Sequence, residues 1–152
     1  MKKFEFTGET KTISLFFRTA TLHRIRAVAE FGLVKIGDLG GWIEKEENLS
    51  HEGKAWVWGN AKVCGDAKVF SASHVLVIGA IGSRDDFTTF FRDKDNEITV
   101  KCGCFLGKID KFLEKVTQTH GDSKYALVYR AAVEVARLQI DLLGEAPKDA
   151  DE

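Results

Sequence analysis

The chain of 152 residues lacks several features that would assign it to a larger class of protein. It contains one proline, and no apolar run approaches the ~20 residues that a membrane helix needs. Its 22 Lys and Arg residues balance 23 Asp and Glu residues, so no overall field attracts a polyanion. We therefore predict a cytoplasmic chain of one or two small domains, without a membrane partner and without general nucleic-acid binding.

Cysteines are also scarce, and their number is odd. Cys64, Cys102 and Cys104 are expected to be reduced thiols. On one extended strand, Cys102 and Cys104 would face the same way but lie too far apart to bridge. A closed zinc site needs four ligands, usually supplied as two pairs, and the sequence offers a single pair. We predict structural thiols, no metal site and no cofactor.

The strongest pattern present is a six-residue repeat over residues 53–76, which reads GKAWVW, GNAKVC, GDAKVF, SASHVL. In each unit a small residue and a valine recur in phase, at Ala55, Ala61, Ala67 and Ser73 and at Val57, Val63, Val69 and Val75. This periodicity is typical of a β-solenoid, in which the aliphatic side chain fills the interior and the small residue lets the corner close. Four units predict a short coil.

The residues after the repeat predict a different architecture. Alternation and turn residues predict strands over 74–78, 87–92 and 97–104. Apolar residues at helical spacing predict one helix that ends at His120 and a second that begins after Ser123 and ends near Gly144. Residues 2–7 and 12–17 read as two strands.

The predicted fold class is therefore α+β, with a short hexapeptide-repeat, left-handed β-helix-like part followed by a β-meander and two C-terminal helices. We expect a β-rich cap and coil over residues 1–76 and an α+β domain of three strands and two helices over 77–146. A disordered tail is expected over 147–152.

Two stretches resemble a known group of proteins. They are LHRIRAVAEFGLVKIGDLGGWIEKEENLSHEGKAWVWGNAKVCGDAKVF, residues 22–70, and IGSRDDFTTFFRDKDNEITVKCGCFLGKIDKFLEKVTQTHGDSKYALVYRAAVEVARL, residues 81–138. They resemble the left-handed β-helix hexapeptide-repeat proteins and, more closely, a subset of small phage and prophage proteins. The resemblance implies that FGLVKIGDLGGWIEKEENLS forms the entry cap of the coil. It also implies action in the cytoplasm of a bacterial host cell.

A candidate binding site lies where cationic, hydroxyl and aromatic side chains are interleaved between residues 83 and 92. Guanidinium groups beside hydroxyls and aromatic faces suit a phosphate and a stacked base. The start of the second helix would add free backbone N–H groups. The predicted ligand-binding residues are Ser83, Arg84, Phe87, Thr89, Phe91, Arg92, His120 and Lys124. The alternative interpretation is a plain charged strand beside a Phe-rich core.

Three indoles cluster around the cap and the first hexad. Trp42, Trp56 and Trp58 are predicted interface residues, and alternation along the coil predicts that Trp56 and Trp58 point outward, opposite to Val57. Because two outward indoles are costly to leave in water, we expect them to pack on the N-terminal strands or on another subunit. A homo-oligomer, either a dimer or a trimer, is the expected assembly.

Two functions remain open from the sequence. The favoured one is a phage-type accessory protein that binds without catalysis. It would counteract host defence by sequestering a small, anionic, nucleotide-like signal or by blocking a host defence protein. The alternative is a degenerate hexapeptide-repeat acyltransferase-like enzyme with His51 or His74 as general base. The second is disfavoured because the sequence shows no clear nucleophile and so short a coil has no groove for a pantetheine arm.

Overall fold

A computed structural model describes residues 2–142 and shows an α+β protein with two sheets of mostly antiparallel strands and two C-terminal helices. The first sheet contains β1 (Phe4–Ser14), β2 (Thr19–Ala27), β3 (Leu39–Ile43) and β4 (Lys62–Val63) in that order. The second contains β5 (Val75–Ile81), β6 (Asp86–Arg92), β7 (Ile98–Cys102) and β8 (Phe105–Lys108). The helices are α1 (Ile109–His120) and α2 (Lys124–Gln139).

The N-terminal hairpin is longer than the alternation predicts. The two short strands expected over 2–7 and 12–17 are one strand, β1, whose register with β2 shifts between Phe6 and Thr10. Gly8 lies inside this irregularity with φ of 96°, a conformation that glycine adopts without a steric penalty. The interruption in the pattern is therefore a bulge, and the strand continues through it.

The prediction that the hexads fill a core is confirmed for the first three units. Val57, Val63 and Val69 are at most 1% exposed, as are the small residues that share their phase. Turns of the chain stack in parallel, because Ile43 pairs with Val63 and Leu49 with Val69, in both cases 20 residues further along. Each turn thus covers the apolar side of its neighbour.

Two adjacent glycines in β3 allow this close stacking. A Cβ on Gly41 would lie 2.2 Å from the carbonyl oxygen of Trp58 and 2.7 Å from that of Ala61. A Cβ on Gly40 would lie 2.7 Å from the Val57 carbonyl. The backbone of the first hexad therefore lies directly against β3, where any side chain would separate the two.

The second sheet lies between the coil core and the helices. In β6, Phe91 packs into the coil core while Phe90 packs against α1 and α2, and both are fully buried. Phe90 and Phe91 therefore face opposite sides of the sheet, as neighbouring residues of a strand do. The sheet has four strands where three were predicted. The strand predicted over 97–104 ends at Cys102, because the chain turns at Gly103, which has φ of 56°, and the fourth strand, β8, follows this turn.

The hairpin end of β6 and β7 joins the coil to the second sheet. Ala67 forms an antiparallel bridge with Asp93, the Lys68 N–H donates to the Arg92 carbonyl and the Lys94 N–H donates to the Asp66 carbonyl. The backbone of the third hexad is therefore hydrogen-bonded to the second sheet as well as to the preceding turn.

The helices follow the predicted pattern, with one difference at the end. Helix α1 ends at His120, and Gly121 closes it with φ of 58°. Helix α2 begins after Ser123 as expected but ends at Gln139, short of Gly144. No helix within residues 2–142 has the length and apolar character needed to cross a membrane. The predicted tail over 147–152 lies outside the described residues.

Two of the three tryptophans are buried within the chain. Trp56 is 2% exposed and packs edge-on against Phe31, so its indole is not left in water. The N-terminal residues cover it, which was one of the two expected ways of burying it. Trp42 is also buried, with the Lys11 amine 4.0 Å from its ring. Trp58 alone of the three is half exposed.

Candidate ligand-binding cleft

A cleft of roughly 170 Å³ opens between one end of the second sheet and the two helices. Its floor is formed by buried residues of β6, α1 and α2, and its rim by exposed residues of the connecting turns. The lining residues that carry chemistry are Arg84, Asp86, Cys102, Lys115, His120 and Tyr129. They come from the β5–β6 turn, β6, β7, α1 and α2.

Arg84 supplies a cationic group at the rim. It lies in the turn between β5 and β6, where Gly82 and Asp85 both have positive φ values of 80° and 49°. Its guanidinium lies over Gly103, since a Cβ there would be 3.2 Å from Nη1. Within residues 2–142 Arg84 forms no ion pair. It is therefore available to an anion that enters the cleft.

A group of hydrogen-bonded side chains forms the floor. The Thr88 hydroxyl donates to Cys102 Sγ at 3.4 Å, and the Tyr129 hydroxyl also interacts with this sulfur. Burial, followed by Cys102, raises the pKa of Tyr129 to about 12, so its phenol stays protonated and can donate. The hydroxyl occupies the space beside Gly82, where a Cβ would lie 1.8 Å from Oη.

Aromatic rings form the walls. The His120 ring stacks on Tyr129 with a centroid separation of 5.7 Å, and Phe112 meets Tyr129 edge-on at the same distance. Phe16, at the tip of the β1–β2 hairpin, reaches the cleft because its N–H donates to the Cys104 carbonyl. The Lys115 amine lies 4.8 Å from the Phe16 ring and adds a second cation.

The arrangement suits a flat ring that carries an anionic group. A cavity of about 150 Å³ holds a benzene molecule, so the interior has room for one aromatic ring. Arg84 and Lys115 lie where the remainder of such a ligand would extend, and Asp86 is the acidic group facing them. A whole nucleotide would have to keep its sugar and phosphate at the open rim.

The structure brings together three of the eight predicted ligand-binding residues. Ser83, Arg84 and His120 line the cleft. The other five lie outside its lining: Phe87, Thr89, Phe91, Arg92 and Lys124. Phe91 is fully buried in the coil core, and Thr89 is buried where its hydroxyl accepts from the Lys62 N–H. These two side chains face the coil, on the other side of the sheet from Phe90 and the helices.

Arg92 has a structural position. It is 7% exposed, donates to the Lys68 carbonyl and to Asn96 Oδ1, and stacks over Phe70 at 4.5 Å. A guanidinium bonded to the backbone of the coil in this way is not positioned to contact a ligand in the cleft. Sequence proximity to Arg84 suggested a shared site, but the strand β6 carries Arg92 to the opposite end of the sheet.

The lining residues that were missed from the sequence include Phe16, Cys102, Lys115 and Tyr129. Each has an ordinary explanation in its local pattern, since a strand thiol and helix residues at core spacing predict packing alone. Phe16 carried little signal, because exposed apolar side chains are common on protein surfaces. The others become visible only when the helices are placed on the sheet.

The histidines proposed for an acyltransferase are engaged elsewhere. His51 stacks on Phe4, accepts from the Lys3 N–H through Nδ1 and contacts Glu46 through Nε2. His74 is 2% exposed and accepts from the Phe70 N–H, and burial lowers its pKa. Because both of its ring nitrogens are occupied and it contacts no cleft, His51 lacks the access that a general base needs.

No site for a metal emerges in the part of the chain from Lys2 to Leu142, where no group of three His, Cys, Asp or Glu side chains could hold one. The three thiols are free. A second depression of about 300 Å³ contains Arg18, Asp93 and Lys108. Its charges already have partners, since Lys108 contacts Asp93 at 2.8 Å and Arg18 contacts Glu44 at 2.7 Å.

The fold and cleft thus define an α+β protein with a stacked-turn core and a small cationic, aromatic cleft. No family model matches the chain. It is similar to the uncharacterized acetyltransferase YdcK of Escherichia coli (strain K12), at 27% identity over 84 residues. The match covers 48% of this chain and 26% of that protein.

Proposed function

We propose that the chain is a binding module that takes up a small planar ligand with an anionic group, such as a nucleotide, without converting it. The observation that carries this proposal is the unpaired Arg84 guanidinium at the rim of a cleft with aromatic walls. Lys115 adds positive charge on the facing helix, and Thr88 and Tyr129 place hydroxyl groups at the floor.

The biological setting belongs to the same proposal. The resemblance of residues 22–70 and 81–138 to small phage and prophage proteins supports a role in which the cleft sequesters a nucleotide-like signal of host defence. The stacked turns at residues 41–69 are proposed to be a short left-handed β-helix that serves as a platform, supported by the parallel pairings 20 residues apart.

The test is calorimetric titration with a panel of linear and cyclic nucleotides. Losing one charged hydrogen bond costs about 1.5–3 kcal/mol, so Arg84→Ala is expected to weaken binding about ten- to a hundredfold. Its melting temperature should stay close to that of the unmodified protein, because the side chain is exposed.

Lys124→Ala is the matched control, since it removes an exposed cation near the cleft but outside its lining. It should bind as the unmodified protein does. Equal affinity in the Arg84 variant, or failure of every nucleotide to bind, would contradict the proposal. Loss of capture of a host protein by Arg84→Ala would then favour the contact inhibitor.

A second candidate is an acyltransferase-like activity, and the similarity to an uncharacterized acetyltransferase is what favours it. In this structure the imidazole that faces a cleft is that of His120, whereas His51 and His74 are held by other contacts. Release of thiol from acetyl-coenzyme A, abolished by His120→Gln and retained in His51→Gln, is the result that this candidate requires.

A further inference from the structure

Helix α2 is apolar on two opposite sides. One side packs in the core through residues that include Ala126, Tyr129, Ala132, Val133 and Ala136. The other side carries Leu127, Ala131, Val135 and Leu138. Leu127, Val135 and Leu138 are 61%, 46% and 88% exposed, respectively. We name these four residues the outer stripe.

The outer stripe is continuous because its members are spaced by four, four and three residues, the separations that place side chains on one helical face. A surface helix normally carries polar residues on the side opposite its core face. A helix with apolar residues on both sides is typical of one that is covered on both. The structure therefore contains a helix face built for a second contact.

We propose that the outer stripe pairs with the same stripe of a second copy, with the two helices antiparallel about a twofold axis. In this arrangement Leu127 lies opposite Leu138 of the second copy, and the small Ala131 lies opposite the larger Val135. The stripe is thus complementary to itself in size, as a closed twofold interface requires.

The charges beside the stripe fit the same pairing. Arg130 and Glu134 lie on one flank of the helix, and antiparallel pairing places each beside the other residue of the second copy. The Arg130 guanidinium is held in position because it donates to the Gly121 carbonyl at 3.0 Å. Glu134 is oriented by Arg137 at 2.9 Å.

The interface leaves the cleft open. Tyr129, which forms part of the cleft floor, lies on the core side of α2, opposite the outer stripe. Dimer formation and ligand binding are consequently separable, and failure of one proposal does not imply failure of the other. The interface is also distinct from the tryptophans, of which Trp56 and Trp42 are buried within the chain.

The first experiment measures mass in solution by light scattering and sedimentation at micromolar concentration. The unmodified protein is expected to be a dimer. Leu127→Glu and Leu138→Glu are each expected to raise its dissociation constant at least ~100-fold, because each places two carboxylates in an apolar contact. Leu33→Glu is the control, since Leu33 is 89% exposed on a loop outside α2. This variant should remain a dimer.

The second experiment tests the register. A mixture of Ala131→Cys and Val135→Cys chains should form a covalent heterodimer under mild oxidation, because these two residues lie opposite each other across the twofold axis and a disulfide needs a Cα separation of about 4.4–6.8 Å. Glu114→Cys, on the exposed side of α1, should not. A monomeric unmodified protein, or a dimer that survives Leu127→Glu and Leu138→Glu, overturns the proposal. A dimer broken by these variants but without a covalent link between residues 131 and 135 overturns the antiparallel register.

Discussion

The stacked turns around the hexads and the cleft beside the second sheet differ in how completely their polar side chains are paired. Among the stacked turns, the buried side chain of Asn48 is fully paired, although the buried Trp56 indole N–H has no partner within residues 2–142. Asn48 is fully buried, accepts from the Glu44 and Lys45 N–H groups and donates to the Gly65 and Ala67 carbonyls. In the cleft, by contrast, Arg84 and Lys115 have no ion pair within residues 2–142. A candidate site is thus marked less by residue type than by incomplete pairing.

The largest effect is expected from breaking the closed region. Gly41→Ala places a Cβ 2.2 Å from the Trp58 carbonyl, and a backbone contact of this kind cannot be relieved by a side-chain rotation. We expect a loss of at least about 3 kcal/mol in the free energy of unfolding, measured in urea. Gly59→Ala is the control, because its Cβ meets nothing within 4 Å. Equal stability of the two variants would show that β3 does not pack as described.

A smaller effect is expected at the cleft, where a neighbour can move. Gly82→Ala directs a Cβ at the Tyr129 hydroxyl and also strains a backbone with φ of 80°. We expect a cost of about 2 kcal/mol. In a Tyr129→Phe background the cost should fall by about 1 kcal/mol, since the displaced hydroxyl is gone. Additive effects in the double-mutant cycle would contradict the contact between Gly82 and the phenol.

The smallest effect concerns the amine of Lys3, which is buried against the core of the stacked turns. Lys3 Nζ donates to the Ala55 carbonyl at 2.6 Å, and burial lowers its pKa from 10.5 to about 8. Between pH 8 and 10.5 the unfolded chain therefore binds more protons, so the free energy of unfolding should rise with pH there. We expect a rise of about 1 kcal/mol from this group, less than the full shift corresponds to, because solvent screens part of the charge.

The matched measurement compares denaturant midpoints across that pH range. Lys3→Met should flatten the rise, and Lys54→Met should not, because Lys54 is exposed. The same slope in all three proteins would show that the Lys3 amine remains solvated. The charge of Lys3 would then not be enclosed by the stacked turns.

Features that depend on residues close together in the sequence could be predicted, whereas features that depend on contacts between distant segments could not. The hexad core was predictable because each valine is in phase with its neighbours over a few residues, and α1 and α2 because helical spacing is local. The residues that cover Trp56 were not predictable individually, since they come from distant β1 and from the segment near Phe31. The full lining of the cleft could not be predicted for the same reason, because Phe16, Cys102 and Tyr129 come together only when the sheet and the helices pack.

The junction between the third hexad and the second sheet has a consequence for how such a chain can change its length. The Ala67–Asp93 bridge and the hydrogen bonds on either side of it occupy the free backbone edge on which another turn would stack. A hexad duplicated at this point would have to displace the β6–β7 hairpin, and with it Arg92 and its contacts to the coil. The junction therefore acts as a terminator of the array, and it also shields a strand edge that would otherwise recruit other chains.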